Sequence, residues 1–273
     1  MAAPPRHGST LKTVDKALTV LGFFTVETPE YRLSDLARAA EIDKVTMMRI
    51  LASLALQGFV EQNAETKKYR LGTAVLRLAR VREASFPLLA VLQPVLAKLS
   101  QDSGETAHAA EFDGQTLNSI GFHEPDRGNR IIVRTGVTRS LHATASGMAA
   151  LAACSDGFLA AALSGPLEAY TEQTITTADA MRAEIAAIRK RGYSVSNQAR
   201  EIGVSSVAAA FCDRAGLLIG TVSIAMPTDR ADPVLIARLG QLVAAAAAQI
   251  EHRLFGRELP NSLKLPICPE TRP

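Results

Sequence analysis

The chain has 273 residues, of which 47% are hydrophobic and 21% charged, a composition typical of a soluble globular protein that is long enough for two domains. Its most apolar uncharged stretch, residues 215–226, is shorter than the roughly 20 residues that span a bilayer, so the sequence predicts no membrane segment. Residues 1–10 lack the apolar core of a secretory signal. The three cysteines, Cys154, Cys212 and Cys268, form no Cys-x-x-Cys pair. We therefore expect a cytoplasmic protein with reduced thiols.

The formal charge of +3 is unevenly distributed along the chain. Residues 1–82 contain 13 Lys and Arg against 8 Asp and Glu, whereas residues 83–273 contain 17 against 19. A small basic segment followed by a larger, slightly acidic one is typical of a nucleic-acid-binding protein that has a second functional domain.

The first 82 residues have the order of elements of a winged helix-turn-helix. Helical spacing of apolar residues predicts helices over 14–26, 33–40 and 44–57, and residues 41–43 leave room only for a tight turn. Residues 59–61 and 68–71 resemble strands joined by a polar hairpin. This order predicts that the third helix enters the major groove of DNA.

Residues of the third helix that face away from the core are the candidates for contacting DNA bases and phosphates. We expect the core face to contain Val45, Met48, Leu51 and Ala52. The remaining candidates, together with cations in or beside the wing that would neutralise phosphates, are Lys44, Thr46, Met47, Arg49, Lys67, Lys68 and Arg70. The alternative is that these are solubilising charges on a three-helix domain.

The rest of the chain alternates helical and strand-like segments. Helices are predicted over 72–83, with Leu76 and Ala79 buried, and over 86–101, so that a helical linker joins the two halves. Strands are predicted over 106–112, 116–122, 131–135, 205–212 and 216–226, and further helices over 145–152, 178–191 and 232–255. Groups of strands with helices between them predict an α+β domain with a helix-covered sheet.

The sequence lacks the common signatures of nucleophilic, nucleotide-dependent and zinc enzymes. His108 and Glu111, three apart on a strand, point to opposite faces and do not suit one metal ion. Cys212 follows an apolar run and is interpreted as a core residue. By contrast, residues 143–147 lead into a helix whose free amides suit a carboxylate or another acceptor-rich group.

Several motifs, taken in order, resemble the IclR family of bacterial transcriptional regulators. They are 14–21 (VDKALTVL), 33–37 (LSDLA), 43–54 (DKVTMMRILASL), 141–147 (LHATASG), 191–194 (RGYS), 201–209 (EIGVSSVAA) and 220–227 (GTVSIAMP). The resemblance covers roughly residues 13–254. It implies a GAF-like α/β effector-binding domain, whose matching positions here are Ala145, Ser146, Ser196, Ser206, Ser223 and Ala225. Arg200 and Glu201 are interpreted as surface or loop-anchoring charges.

The sequence is therefore identified as that of an IclR-type regulator. We expect a winged helix-turn-helix over 9–74, a linker helix over 75–83, an effector-binding domain over 84–256 and a tail over 257–273. The expected partners are pseudo-palindromic operator DNA, a second or further copies of the chain as a homodimer or homotetramer, and a small organic effector, without a cofactor. The predicted lining offers hydroxyls but no run of Lys or Arg, which favours an aromatic or short-chain acid, or its neutral derivative, over a polyphosphate. The alternatives are a small-molecule enzyme with a winged-helix appendage and a protein-interaction module.

Overall fold

The structure is a computed structural model that describes residues 11–256. Within it the chain forms two compact units, one ending at Pro87 and one beginning at Leu88. Each unit has its own core, and each is described by itself.

The first unit is a winged helix-turn-helix, as predicted. Its elements are α1 (Lys12–Leu21), α2 (Leu33–Ala39), α3 (Lys44–Leu56), β1 (Val60–Gln62), β2 (Tyr69–Leu71) and α4 (Thr73–Ser85). The two strands pair antiparallel, with Val60 opposite Leu71 and Gln62 opposite Tyr69. Val20, Leu36 and Leu51 are fully buried in the core that holds α1, α2 and α3 together.

The rotation of α3 differs from the sequence prediction. Met47 is 0% exposed, whereas Val45 and Met48, which were expected in the core, are 64% and 53% exposed. The helix has apolar residues on two overlapping stripes, and both have helical spacing. The structure selects the stripe of Met47, Ile50, Leu51 and Leu54, which packs on α1, α2 and β1. Met47 is therefore a core residue, and its assignment to the DNA-facing set was wrong.

Helix α4 is apolar on faces that its own unit does not cover. Ala74, in its first turn, is its buried residue. Leu76, Leu78 and Val81 are exposed, as is Ala79, so the predicted burial of Leu76 and Ala79 was wrong. Only the start of the helix reaches the core of the first unit.

The second unit is an antiparallel sheet with helices on both faces. Its strands are β3 (Thr106–Phe112), β4 (Leu117–His123), β5 (Thr138–Arg139), β6 (Ser194–Asn197), β7 (Val204–Cys212) and β8 (Leu218–Pro227), in the sheet order β5-β4-β3-β8-β7-β6. Its helices are α5 (Leu88–Ser103), α6 (Ala145–Ala153), α7 (Asp156–Ala162), α8 (Ala178–Arg191) and α9 (Pro233–Phe255), with a 3₁₀ turn at Thr228–Arg230. The mixed α+β architecture agrees with the predicted fold class.

Helices α5 and α9 pack together on one face of the sheet, and α6 packs on the other with α8 outside it. An 18-residue stretch of the 23-residue α9 has a mean hydropathy of 1.5, which by length and composition alone would allow the helix to cross a membrane. Its Leu239, Val243 and Ile250 are instead fully buried in this unit, as in a core helix. On the other face, Met148 and Leu151 of α6 join Met181 and Ile185 of α8 in a second apolar cluster.

Residues 131–135, predicted as a strand, have no regular structure. Strand β5 pairs with β4 at Leu117 and Asn118, and the carbonyl of Ile131 accepts a hydrogen bond from the Thr106 side chain in place of strand pairing. The short elements β5, β6 and α7 were not predicted. The predictions for residues 1–10, the tail after residue 256 and Cys268 lie outside the described residues, while Cys154 and Cys212 form no disulfide within them.

Candidate functional site

The first candidate site is the exposed face at the start of α3. The Asp43 side chain caps this helix by accepting a hydrogen bond from the Thr46 amide at 2.9 Å. Hydrogen bonds from the Thr46 amide and hydroxyl lower the pKa of the Asp43 carboxyl. Thr46 thus has a structural role in the cap, and it is half-buried.

Beyond the cap, Lys44, Val45, Met48 and Arg49 form one continuous exposed face along the first turns of α3. A guanidinium can contact guanine in the major groove, and an apolar side chain can contact the thymine methyl group. Met48 therefore takes the position on this face that the sequence analysis gave to Met47.

The wing cations are not equally available for phosphates. Arg70 Nε lies 2.6 Å from Glu61 Oε1, and Lys68 Nζ lies 4.0 Å from Glu30 Oε2, so both cations already have carboxylate neighbours. Lys67 is exposed at the tip of the hairpin, where it adopts a left-handed backbone with φ 56°. Of the three, Lys67 has the charge most accessible to DNA.

The second candidate site lies on the α6 face of the sheet. Pairing between the strands places Ser196, Ser206 and Ala225 side by side in one row, and Ala208, Ser223 and His108 in the next row on the same face. The row positions of Ser196, Ser206, Ser223 and Ala225 agree with a shared pocket wall. The structure also brings His108 to this wall.

The start of α6 forms the opposite wall. The Thr144 hydroxyl caps the helix by accepting from the Gly147 amide at 3.0 Å, which leaves the amides of Ala145 and Ser146 at the first two positions. A Cβ on Gly147 would overlap the backbone of Ser140 and Leu141. Glycine at 147 therefore allows the helix start to pack tightly on the preceding segment.

A cavity of about 100 Å³ lies between these walls. It is lined by Ala145, Ser146, Ser196, Ser206, Ala225, His108, Arg139, Arg200, Glu201, Thr144, Val204 and residues 131–133. Five of the six predicted effector residues line it, and the sixth, Ser223, lies in the neighbouring row of the sheet and is fully buried. A wider surface groove of about 750 Å³ lies beside α5. It is a weaker ligand site because its Lys98 and Arg127 are paired with Asp102 and Glu105.

Three side chains form a hydrogen-bonded chain from α6 through the sheet. Ser146 Oγ donates to Ser223 Oγ at 3.1 Å, and Ser223 Oγ lies 2.7 Å from His108 Nε2. Burial, with a smaller contribution from the charge of Arg139, lowers the pKa of His108 to about 3. His108 is therefore a neutral imidazole at physiological pH.

Two arginines give the cavity a positive character that the sequence analysis did not predict. Arg139 is half-buried and donates to Ser119 Oγ at 3.3 Å. Burial and then the nearby charge of Arg200 lower its pKa. Arg200 lies at the exposed rim, with its guanidinium carbon 3.8 Å from the centre of the Tyr170 ring. The interpretation of Arg200 as a surface charge thus omitted its place beside the cavity.

A loop of residues 124–133 contributes residues 131–133 to the lining of the cavity and is anchored by Glu105. This buried carboxylate accepts two hydrogen bonds of 2.8 Å from Arg230 and a longer one from Arg127. Arg230 also donates to the carbonyl of Asn129, and the Thr106 hydroxyl donates to that of Ile131 at 2.6 Å. Side chains from the sheet thus position the loop in place of strand pairing.

His108, Arg139 and Arg200 are the site residues that sequence reasoning missed. Arg139 follows a short polar segment and Arg200 precedes an acidic residue, so neither has a local signal that separates it from an ordinary surface charge. For His108, the signal was its position on a strand in register with Ser223, which depends on a pairing across 115 residues.

A winged helix and a separate α/β unit with a polar cavity define a ligand-responsive transcription regulator. The model of the IclR helix-turn-helix domain matches residues 13–64, and that of the bacterial transcriptional regulator IclR C-terminal domain matches residues 83–252. The chain therefore belongs to the IclR family of bacterial transcriptional regulators, with an N-terminal DNA-binding domain and a C-terminal effector-binding domain.

Individual relatives span nearly the whole chain. A crystal structure from Silicibacter sp. TM1040, assigned to the IclR transcriptional regulators, is 37% identical and covers 93% of this chain and all of its own, with a TM-score of 0.84. The transcriptional repressor IclR of Escherichia coli is 26% identical over 92% of both chains. An IclR homologue of Microbacterium hydrocarbonoxydans, solved with 4-hydroxybenzoate, shares the fold at 23% identity and a TM-score of 0.77, covering 89% of this chain and 99% of its own.

Proposed function

We propose that the protein is a cytoplasmic homo-oligomer that binds pseudo-palindromic operator DNA through α3 and represses catabolic genes until a small organic acid occupies its cavity. In this proposal, residues 9–74 read DNA, 75–83 connect the units and 84–256 sense the effector, without a cofactor. The tail after residue 256 is given no role.

The observation that carries the DNA-binding part is the exposed face of α3. Lys44 and Arg49 lie on the same side of the helix as Met48, and within the described residues neither cation is held by a carboxylate. An uncompensated positive face at the start of a capped helix fits the negative major groove.

DNA upstream of the protein's own gene provides the test. In anisotropy titrations, Arg49→Ala should lower affinity for the specific site by about 1–3 kcal/mol if Arg49 contacts a base, and Lys68→Ala should weaken binding evenly across sequences. Arg182→Ala on α8 removes the same charge from the second unit and serves as the control. Equal affinities of Arg49→Ala and Arg182→Ala for the operator would contradict the assignment of α3.

The effector part rests on the cavity at the start of α6. Its amides, serine hydroxyls and two arginines suit a carboxylate, and 4-hydroxybenzoate in the Microbacterium structure is an acid of this kind. Because the volume of about 100 Å³ is below the roughly 300–1,000 Å³ of pockets for drug-sized ligands, a short-chain acid fits better than an aromatic one.

Replacing Ser146 by leucine tests this location. The larger side chain should fill the head-group position beside the amides of Ala145 and Ser146, while the winged helix stays folded. The Ser146→Leu protein should therefore bind operator normally but lose its response to catabolic acids and amides, measured by calorimetry and by operator release. Unchanged affinity for an acid that binds the wild type would place the pocket elsewhere.

Self-association is supported by apolar residues left uncovered in the first unit. Leu11, Val14 and Leu18 at α1, and Leu76 and Val81 on α4, are all exposed in the single chain. Burying such side chains in a second copy would be favourable and would place two recognition helices on one DNA molecule.

We also infer that the cavity binds its ligand without chemical conversion. The separation of 2.7 Å between Ser223 Oγ and His108 Nε2 is that of a nucleophile and its base. Ser223 is fully buried and does not line the cavity, however, so its hydroxyl cannot reach a ligand. Incubating the protein with bound acids and their esters should leave both unchanged by mass spectrometry.

A further inference from the structure

The exposed side chains in the first two turns of α3 are two cations and two apolar residues. In chain order they are Lys44, Val45, Met48 and Arg49. The other positions of these turns are buried in the core or, at Thr46, half-buried with the amide bound in the helix cap. Any side-chain contact of this part of the helix with bases therefore depends on these four residues.

Around the helix axis, the two apolar residues lie between the two cations. With 3.6 residues per turn, Met48 and Val45 lie about 40° and about 100° from Lys44. Arg49 follows at about 140°, on the far side of Val45. Ala52, exposed one turn after Met48, extends the apolar surface along the helix. Val45, Met48 and Ala52 form an apolar stripe with a cation on each side.

Charge indicates which partner covers the apolar stripe. Within residues 11–256, no carboxylate forms an ion pair with Lys44 or Arg49. In a symmetric contact between two copies the same surfaces meet, so each cation would approach like charges without a compensating acid. The phosphates of DNA would instead neutralise both cations. The stripe therefore fits the major groove better than a second copy of the chain.

The four exposed side chains match only part of the chemical pattern in the groove. Arginine and lysine donate hydrogen bonds, for which N7 and O6 of guanine are the preferred acceptors. Adenine and cytosine are selected by amide and carboxylate side chains, and none of the four residues has one. The remaining feature of the groove is the 5-methyl group of thymine, which apolar side chains contact.

We propose that Val45 and Met48 select thymine in each operator half-site by contacting its 5-methyl group, beside a guanine bound by Arg49. The affinity of these contacts comes from removing water from the apolar stripe and from the methyl groups together. The proposal rests on the DNA-binding function proposed above and adds the bases that α3 selects.

Operator duplexes with uracil in place of thymine test the proposal, because uracil lacks only the 5-methyl group. Anisotropy titrations of the full-length protein would use the operator upstream of its own gene, with one thymine replaced at a time. Loss of each contacted methyl group should lower affinity about fourfold, as expected for one buried carbon group. Replacements outside the half-sites should have no effect. Equal affinity for all the substituted duplexes would overturn the proposal.

Variants assign the effect to its side chains. For each protein, the ratio of its affinities for the thymine and uracil duplexes is measured, so that changes common to both duplexes cancel. Val45→Ala and Met48→Ala should each lower this ratio towards 1 at one thymine and leave it unchanged at the other. Leu56→Ala removes an exposed apolar side chain from the last turn of the same helix and should keep the wild-type ratios. Wild-type ratios in Val45→Ala and Met48→Ala would overturn the proposal.

The outcomes separate the methyl contacts from the DNA-binding function. Intact operator binding without a difference between thymine and uracil would overturn the methyl contacts and leave DNA binding standing. Absence of operator binding by the wild type would contradict the proposed function itself. If Val45→Ala/Met48→Ala lowered the oligomer mass in light scattering and kept the wild-type ratios, the stripe would contact a second copy, and the proposal would be wrong.

Discussion

His108 is an ionisable residue kept uncharged by its surroundings. Ser223 lies within hydrogen-bond distance of it, and Arg139 is the charged group that acts on its pKa, although Arg200 and Glu201 line the same cavity. Burial therefore has the largest effect on its pKa, and the positive charge of Arg139 acts in the same direction. A cation at this position would repel Arg139, which lines the same cavity.

The lowered pKa of His108 predicts acid sensitivity of the folded protein. In the unfolded chain the imidazole takes up a proton below pH about 6.5, whereas in the folded chain it does so only near pH 3. The free energy of unfolding therefore decreases as the pH falls from 6.5 towards 3. The slope approaches about 1.4 kcal/mol per pH unit. Urea unfolding followed by circular dichroism at pH 7, 6 and 5 measures this slope.

The matched control is His108→Asn, which cannot take up this proton. Between pH 6 and 5 the wild type should lose about 1 kcal/mol more than the variant. Other histidines and carboxylates titrate in both proteins, so they cancel in the difference. Parallel pH profiles would show that His108 is not the acid-sensitive group.

At the scale of elements, local signals predicted helices well where capping residues were present. Helix α8 begins after the Thr177 cap and ends at Gly192, which adopts φ 83°, and its predicted bounds of 178–191 agree with the structure. The rotation of α3 could not be predicted, because both apolar stripes satisfy the same spacing and only packing against α1 and α2 selects one.

Only some of the cavity residues could be predicted, because the others are brought to the cavity by packing between distant parts of the chain. The serine positions followed from the family resemblance and from strand alternation. The contribution of His108 depends on its pairing with Ser223 across 115 residues, and that of Arg139 on the pairing of β5 with β4, for which the sequence has no local signal. Residues 131–133 have β-branched side chains typical of a strand, but the backbone of Ile131 is bound by the Thr106 hydroxyl and not by a neighbouring strand.

Tight packing at the start of α6 predicts a strong effect of Gly147→Ala. The added Cβ would overlap the backbone of Ser140 and Leu141, and backbone cannot move aside as a flexible side chain can. We expect a loss of about 1–3 kcal/mol in the free energy of unfolding. Displacement of Ser146 should also weaken effector binding, measured by calorimetry.

Gly165→Ala is the control, because no atom lies within 4 Å of the added Cβ at that position. Its unfolding midpoint and effector affinity should match those of the wild type. If Gly147→Ala behaves like Gly165→Ala, the close contact between α6 and the preceding segment does not position the site.

For the whole molecule, one exposed apolar surface of the first unit lies on other elements than its proposed DNA-binding face. The basic residues proposed to face DNA lie on α3 and the wing, whereas the exposed apolar side chains of Val14, Leu18, Leu76 and Val81 lie on α1 and α4. A single winged helix engages one short half-site, so its affinity rises steeply when a second copy engages another half-site on the same DNA. Self-association through the apolar surface would thus make operator binding depend on assembly.

If operator binding depends on assembly, the double variant Leu76→Glu/Val81→Glu should lose both self-association and DNA binding. The two carboxylates would have to be buried without partners in any interface that covers α4, so the oligomer should dissociate at micromolar concentration. Light scattering after size exclusion should show a lower mass, and footprinting should show loss of a protected pair of half-sites about 10–10.5 base pairs apart or a multiple of that spacing. Val234→Glu changes an equally exposed apolar residue at the start of α9 and should leave mass and footprint unchanged. A wild-type footprint confined to one short asymmetric region, or a double variant that keeps both mass and footprint, would contradict assembly through α4.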